Sequence, residues 1–182
     1  ANLAVTPTLA GRGAAVFADK LNHASLIDAM QLAKANGAEV QRYPHNDMAA
    51  LEKMLAASPA ANKLIVSDAV FSMDGDLAPL PLLFALAERY DAWLVIDDAH
   101  GLGAVGPTGR GTAEHFGLED EVDLISATFS KAMASLGGVI AGKKEVIHYL
   151  RHKARGFIFS AALPPASAAA VLKVIEILES EP

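Results

Sequence analysis
Cysteine is absent from this 182-residue chain, which excludes disulfides and thiolate-metal sites and leads to the expectation of a reducing, cytoplasmic setting. Clustered positive charge is scarce as well, and the formal net charge is −6. A nucleic-acid or anionic-membrane footprint needs Lys and Arg gathered on one surface, so neither partner is expected. The basic run Lys143-Lys144 with Arg151-His-Lys-Ala-Arg155 reads as a solvated helix face carrying cations near its C-terminus. No apolar stretch approaches the roughly 20 residues of a membrane span. Ala1-Asn-Leu-Ala-Val-Thr6 lacks the basic n-region of a signal peptide. The missing initiator Met and the abrupt helical opening lead to the expectation that residues precede Ala1. Internal repeats and low-complexity linkers are lacking. So is a Gly-x-Gly-x-x-Gly turn after the first strand, the mark of many nucleotide-binding α/β domains; Gly101-Leu-Gly103 is too short and wrongly placed.

What is present is an apolar chain, 52% hydrophobic and 20% charged, long enough to remove roughly 70% of its unfolded surface from water as one domain. That apolar content is high for a free-standing domain. Some of the surface is therefore expected to meet a partner.

Ala15–Asp19, Ala38–Tyr43, Lys63–Asp68, Trp93–Asp97, Asp123–Thr128 and Gly138–Gly142 are short, mostly β-branched runs bounded by polar or glycine residues. They read as buried strands. Helical periodicity separates them: Ser25–Ala35 with Leu26, Ala29, Met30 and Ala33; Asp47–Ala57 with Met48, Leu51, Met54 and Leu55; and Pro79–Tyr90. Asp47 suits an N-cap and Gly37 a helix stop. Pro164-Pro165 breaks an alanine-rich stretch before a last helix through Leu178. The alternation predicts an α/β fold with a mostly parallel sheet, helices on both faces and right-handed crossovers. Ligands in such sheets collect at the C-terminal ends of strands. That rule selects Asp68–Ser72, Asp97–His100 and Thr128–Lys131.

The groups at these exits match the needs of pyridoxal 5'-phosphate (PLP): an amine for imine formation, an anion to keep a pyridine nitrogen protonated, a donor to the ring and a phosphate ligand. Lys131 precedes the small residues Ala-Met-Ala-Ser-Leu-Gly-Gly138, which leave room for a planar ligand. A lysine buried there is costly unless its amine reacts or pairs; the alternative is a lysine that snorkels to the surface. Asp97 ends an apolar strand at the sheet edge, and His100 lies three residues on. Alone, Asp97-Asp-Ala-His100 is also compatible with half a metal site or a capping loop, but no further cluster at the strand exits completes a metal centre. Thr128 and Ser130 offer hydroxyls to a phosphate, although both residue types are common turn formers. Ser72 can bond a ring oxygen or cap a turn, with Asp74-Gly75 as the tight turn beside it. His23 lies between a strand exit and a helix whose N-cap is expected at Asn22 or Ser25; its imidazole can stack on a ring or be an ordinary loop residue. His45, His115, His148 and His152 read as ordinary histidines.

Taken together, Asn22-His-Ala-Ser-Leu-Ile-Asp28, His45-Asn-Asp47, Val70-Phe-Ser-Met-Asp-Gly-Asp76, Asp97-Asp-Ala-His-Gly101, Gly106-Pro-Thr-Gly-Arg-Gly111, Thr128-Phe-Ser-Lys131 and Phe159-Ser-Ala-Ala-Leu-Pro-Pro165 resemble the α-oxoamine synthases. These are PLP enzymes of the aspartate-aminotransferase fold (fold type I) that condense an amino acid with an acyl thioester and release carbon dioxide. The resemblance implies that Lys131 is the imine-forming lysine and that Asp97 pairs with the pyridinium. It makes Ser72 and His100 partners of the ring oxygen, His23 the residue on the ring face, and Thr128 a phosphate ligand. Ser160 lies where the family often reaches the phosphate of a neighbouring subunit, with Ala161 at a place where Thr or Ser is frequent.

The resemblance further implies a homodimer, and residues 1–182 as an incomplete PLP-binding large domain without a preceding segment or the C-terminal small domain. Phe71-Ser-Met-Asp-Gly-Asp76 with Ala78-Pro-Leu80, His45-Asn-Asp47 and Ala162-Leu-Pro-Pro165 is most similar to members that join L-alanine to a pimeloyl thioester, on CoA or a carrier protein, in biotin synthesis. Glycine-acetylating members are the nearest competitor. A catalytically silent subunit of the same fold is the alternative of another class, and the joint presence of Lys131, Asp97 and His100 argues against it.

Overall fold
The computed structural model describes residues 1–181. Strands β1 (Ala14–Asp19), β2 (Glu39–Tyr43), β3 (Asn62–Asp68), β4 (Ala92–Asp97), β5 (Leu124–Thr128) and β6 (Gly138–Gly142) form a six-stranded sheet in the order β2-β1-β3-β4-β5-β6. The first five strands are parallel, and β6 is antiparallel to β5. The chain passes from β5 to β6 through loop 129–137 with no helix to carry it back across the sheet, and a direct return of that kind sets the strand antiparallel. All six expected strands are present, with ends displaced by at most one residue.

The helices are α1 (Asn2–Leu9), α2 (Ala24–Ala35), α3 (Met48–Ala57), α4 (Leu80–Arg89), α5 (Thr112–Phe116), α6 (Lys144–Lys153), α7 (Arg155–Ile158) and α8 (Pro165–Ser180). The central strands β1, β3 and β4 are largely apolar because both of their faces are covered. Phe17 of β1, Ile65 of β3 and Leu94 and Ile96 of β4 point to one side, where Leu51 and Leu55 of α3 and Leu80 and Leu83 of α4 meet them. Val16, Leu64, Val66 and Val95 point to the other and pack on Val5 of α1, Leu26 and Met30 of α2 and Leu150 of α6. Each such side chain contributes roughly 1.5–3 kcal/mol when fully buried. The two cores therefore hold the strand ends in fixed register.

Asp47 caps α3 as expected, its Oδ1 accepting the Ala50 amide at 2.9 Å. The expected cap of α2 is corrected: neither Asn22 nor Ser25 fills that position, which belongs to His23, whose Nδ1 accepts the Ser25 amide at 3.2 Å. Asn22 is occupied elsewhere, donating to the Val66 carbonyl at 2.8 Å and accepting the Asp68 amide at 3.0 Å, and so stitches the β1 exit to β3. Arg151, His152 and Lys153 form the last turn of α6, where cations favour the helix dipole. Of α8, Val171 is buried, while Leu172, Ile175 and Ile177 are exposed together with Phe157, Ile158 and Phe159. No helix among the described residues is long and apolar enough to cross a membrane.

Candidate active site
Strand order reverses at β1, whose sequence neighbours β2 and β3 lie on opposite sides of it. The carboxyl ends of β1, β3, β4 and β5 open there onto a cleft of about 650 Å³. His23, Ser72, Asp97, His100, Thr128, Ser130 and Lys131 all line it, so four separate strand exits deliver every expected site residue to one place. Polar residues to which the sequence assigned no role in the site join them, among them Asn2, Ser25, Asp68 and Ser126. Asp68 ends a strand selected as an exit, so its position was a usable signal. Asn2 and Ser126 carry no such signal.

Two carboxylates sit side by side at the cleft floor, since Asp68 and Asp97 are register partners across β3 and β4. Both are buried, at 5% and 7% exposure. Asp68 Oδ2 accepts the His23 amide at 2.8 Å. Burial pushes the Asp68 carboxyl up to about 7; the His23 amide opposes this, the Asp97 charge adds to it, the Lys131 charge opposes it and the Asp19 charge adds. Asp97 Oδ1 accepts the Ala99 amide at 3.0 Å, and its Oδ2 accepts Asn2 Nδ2 at 2.5 Å.

His100 is exposed on the loop after β4. Burial against the cleft wall and the positive charge of Lys131 hold its imidazole below the ordinary histidine range, against the pull of Asp97. Electrostatic reach among these groups is thus part of the site. Lys131 itself is exposed, the surface alternative that the sequence left open. It stands on loop 129–137 over an open cleft and avoids the desolvation cost that a buried ammonium would incur. Thr128 Oγ1 and Ser130 Oγ lie 2.8 Å apart, and the Ser130 amide donates to Thr128 Oγ1 at 3.3 Å. The pair forms a small polar corner beside Gly137 and Gly138, which present no side chain to the cleft. Ser160 lies apart, donating to the Gly156 carbonyl at 2.6 Å.

His45 is not the ordinary histidine of the sequence expectation. Its Nδ1 is 3.1 Å from Asp19 Oδ1 and its Nε2 2.9 Å from Asp76 Oδ2, while its ring meets Phe71 edge-on at 4.5 Å. Burial lowers its proton affinity, but hydrogen bonds to Asp19 and Asp76 and their charges outweigh that and hold the imidazole above its usual range. The bridge pins hairpin 71–76, which carries Ser72, to the ends of β1 and β2. His45, Asp74 and Asp76 also bring potential metal-ligand atoms within 4.8 Å of one another, with both nitrogens of His45 already engaged by carboxylates. Asp98, next to Asp97 in the chain, is 1% exposed and accepts the Thr112 amide at 2.7 Å. Gly101 and Gly111 press against that carboxylate so closely that a Cβ at either would collide with its oxygens, and Gly111 has φ +105°. The loop bearing His100 is thereby folded back onto β4.

Residues 1–181 match the family Aminotransferase class I and II. The chain belongs to that family. Within the aminotransferase class I and II family, it is 69% identical over 179 residues to an 8-amino-7-oxononanoate synthase of Dechloromonas aromatica (strain RCB), covering 98% of this chain and 46% of that protein. A serine palmitoyltransferase from S. paucimobilis with bound PLP-myriocin aldimine superposes with a TM-score of 0.91 at 38% identity, over 97% of this chain and 44% of the other. An 8-amino-7-oxononanoate synthase from Francisella tularensis gives a TM-score of 0.82 at 30% identity, over 99% and 51%. The α/β fold with its mostly parallel sheet is that of these transferases, as the resemblance implied. The chain spans about half the length of the curated relatives it matches.

Proposed function
We propose that this chain is the PLP-binding large domain, residues 1–182, of a C-acyltransferase that condenses L-alanine with a pimeloyl thioester and releases carbon dioxide, as in biotin synthesis. The observation that carries the reading is the convergence of Lys131, Asp97, His100, Ser72, His23, Thr128 and Ser130 on one cleft, in a chain so similar to an 8-amino-7-oxononanoate synthase. The donor set fits PLP. A buried carboxylate faces a cleft with room for a planar ring, hydroxyls form a corner suited to a phosphate, and a primary amine is accessible.

PLP supplies an electron sink for negative charge developing at the substrate Cα. Asp97 is the residue that keeps the ring nitrogen protonated, because an anion at the sheet edge stabilises the adjacent cation. Ser72 and His100 would serve the ring oxygen, and His23 would cover a ring face. Thr128 and Ser130 hold the phosphate. Lys131 would hold the cofactor through its amine, and the same nitrogen, when free, would be placed to take a proton from the substrate Cα. A homodimer is part of the proposal, with the exposed apolar residues of 157–159 and α8 as surface in need of cover. A cytoplasmic location goes with it.

L-Serine as the amino acid is the second reading, favoured by the 38% identity to a solved serine palmitoyltransferase against 30% to the oxononanoate synthase from Francisella tularensis. The visible spectrum of the PLP-loaded full-length protein, taken with L-alanine, glycine and L-serine in turn, distinguishes these. A new long-wavelength band with L-alanine alone is expected. A response to L-serine or glycine alone would reassign the substrate, and no visible band with PLP would overturn the proposal.

A further inference from the structure
Asp97 is gripped by a residue distant in the chain. Asn2, the first residue of α1, is 8% exposed and donates from Nδ2 to Asp97 Oδ2 at 2.5 Å. Its carboxamide oxygen accepts the Ser126 hydroxyl at 2.8 Å, and Nδ2 also reaches Ser25 Oγ at 2.9 Å. Ser126 is 2% exposed and is the register partner of Asp97 across β4 and β5. A carboxylate can only accept, so the amide nitrogen must face Asp97 and the amide oxygen Ser126. Every polar atom of the Asn2 side chain is thus engaged by a different element of the cleft.

The contacts continue toward the other side of the proposed ring. Ser25 Oγ is 2.8 Å from His23 Nδ1, and the Ser25 amide donates to the same nitrogen at 3.2 Å. A backbone N–H can only donate, so Nδ1 is an acceptor and the proton of the neutral ring sits on Nε2. Asp97, Asn2, Ser25 and His23 form one connected chain of hydrogen bonds. We propose that Asn2 is a positioning residue that locks Asp97 and, through Ser25, His23 into one preorganised unit for the cofactor ring. This deepens the PLP reading given above and rests on it. A site group must be held within about 0.5 Å of its productive position, and Asn2 does this for a carboxylate whose other partner among the described residues is the Ala99 amide.

The test is PLP affinity of the full-length protein, by equilibrium dialysis, for wild type, Asn2→Ala, Asp97→Ala and the double variant. Asn2→Ala is expected to weaken PLP binding about tenfold, the worth of one charge-assisted hydrogen bond. Because Asn2 acts through Asp97, its removal should add less than about twofold in the Asp97→Ala background. Asn2→Asp guards against simple unfolding: it keeps the shape and the acceptor for Ser126 but replaces the donor with a second carboxylate. That variant should melt cooperatively, bind PLP at least as weakly as Asn2→Ala and shift the visible absorption maximum of bound PLP. Additive losses in the double variant, or wild-type affinity in either Asn2 variant, would overturn the inference. Wild-type PLP affinity in Asp97→Ala would instead overturn the cofactor reading itself, and this inference with it.

Discussion

Asp68 gives the cleft a pH-dependent stability whose sign follows from its surroundings. Its carboxyl is raised from 3.8 to about 7, mainly by burial, with the neighbouring Asp97 charge adding to the effect. The folded state therefore binds the proton more tightly than the unfolded chain. Between about pH 4 and pH 7 the native state holds more protons, so this contribution to stability is full at the acid end and is lost as pH rises through 7. A shift of that size at 1.36 kcal/mol per unit corresponds to something on the order of 4 kcal/mol. Asp68→Asn removes the titration while keeping an oxygen to accept the His23 amide, which is 2.8 Å away in the native protein. Urea unfolding of wild type and Asp68→Asn, both without PLP, at pH 4 and pH 8 measures the difference, and other titrating groups cancel between the two proteins. The variant should match wild type at pH 4 and exceed it at pH 8 by an amount approaching 4 kcal/mol. Equal pH dependence in the two proteins would refute the reasoning and place the Asp68 carboxylate in contact with solvent.

Gly111→Ala should destabilise the fold by about 2–4 kcal/mol in denaturant titration, because its Cβ would meet the Asp98 carboxylate in a left-handed backbone conformation. Changing His45 to Gln should remove stability on the order of 1 kcal/mol that wild type has at pH 6 and lacks at pH 9. The sign follows from a folded-state imidazole raised above its usual range, whose benefit is present below the unfolded value and is lost as pH rises through the folded one; urea unfolding at the two pH values checks it. Thr128→Val combined with Ser130→Ala should weaken PLP binding about tenfold or more and leave pyridoxal binding nearly unchanged, as competition dialysis would show. Equal losses for both ligands would mean that the two hydroxyls do not serve the phosphate.

Much of this was legible because the strands are short and apolar on both faces. Phe17 and Val16, or Leu94 and Val95, serve opposite cores, and that demand leaves a largely apolar run in the sequence. The first polar residue after each run then marks a strand exit, so Asp97, Thr128 and the residues beyond them could be placed at one sheet edge. What was hidden depends on contacts distant in sequence. Asn2 begins a short helix, and nothing local says that its amide reaches Asp97. The role of His45 is set by Asp19 at the end of β1 and Asp76 in hairpin 71–76. The cap of α2 was misplaced because Asn22, a strong capping residue by type, is drawn away by the β3 backbone and leaves the position to His23. Whether Lys131 is buried or open was undecided in the sequence, and it is open because loop 129–137 lies outside both cores.

The central claim is that Lys131 bonds PLP in this cleft. Reducing the PLP-loaded full-length protein with borohydride, digesting it and mapping the modified peptide by mass spectrometry tests that claim directly. The account predicts a phosphopyridoxyl group on Lys131, trypsin unable to cut after that residue, and no stable adduct in Lys131→Ala. A phosphopyridoxyl group at another lysine, or an unmodified Lys131 in protein saturated with PLP, would contradict it.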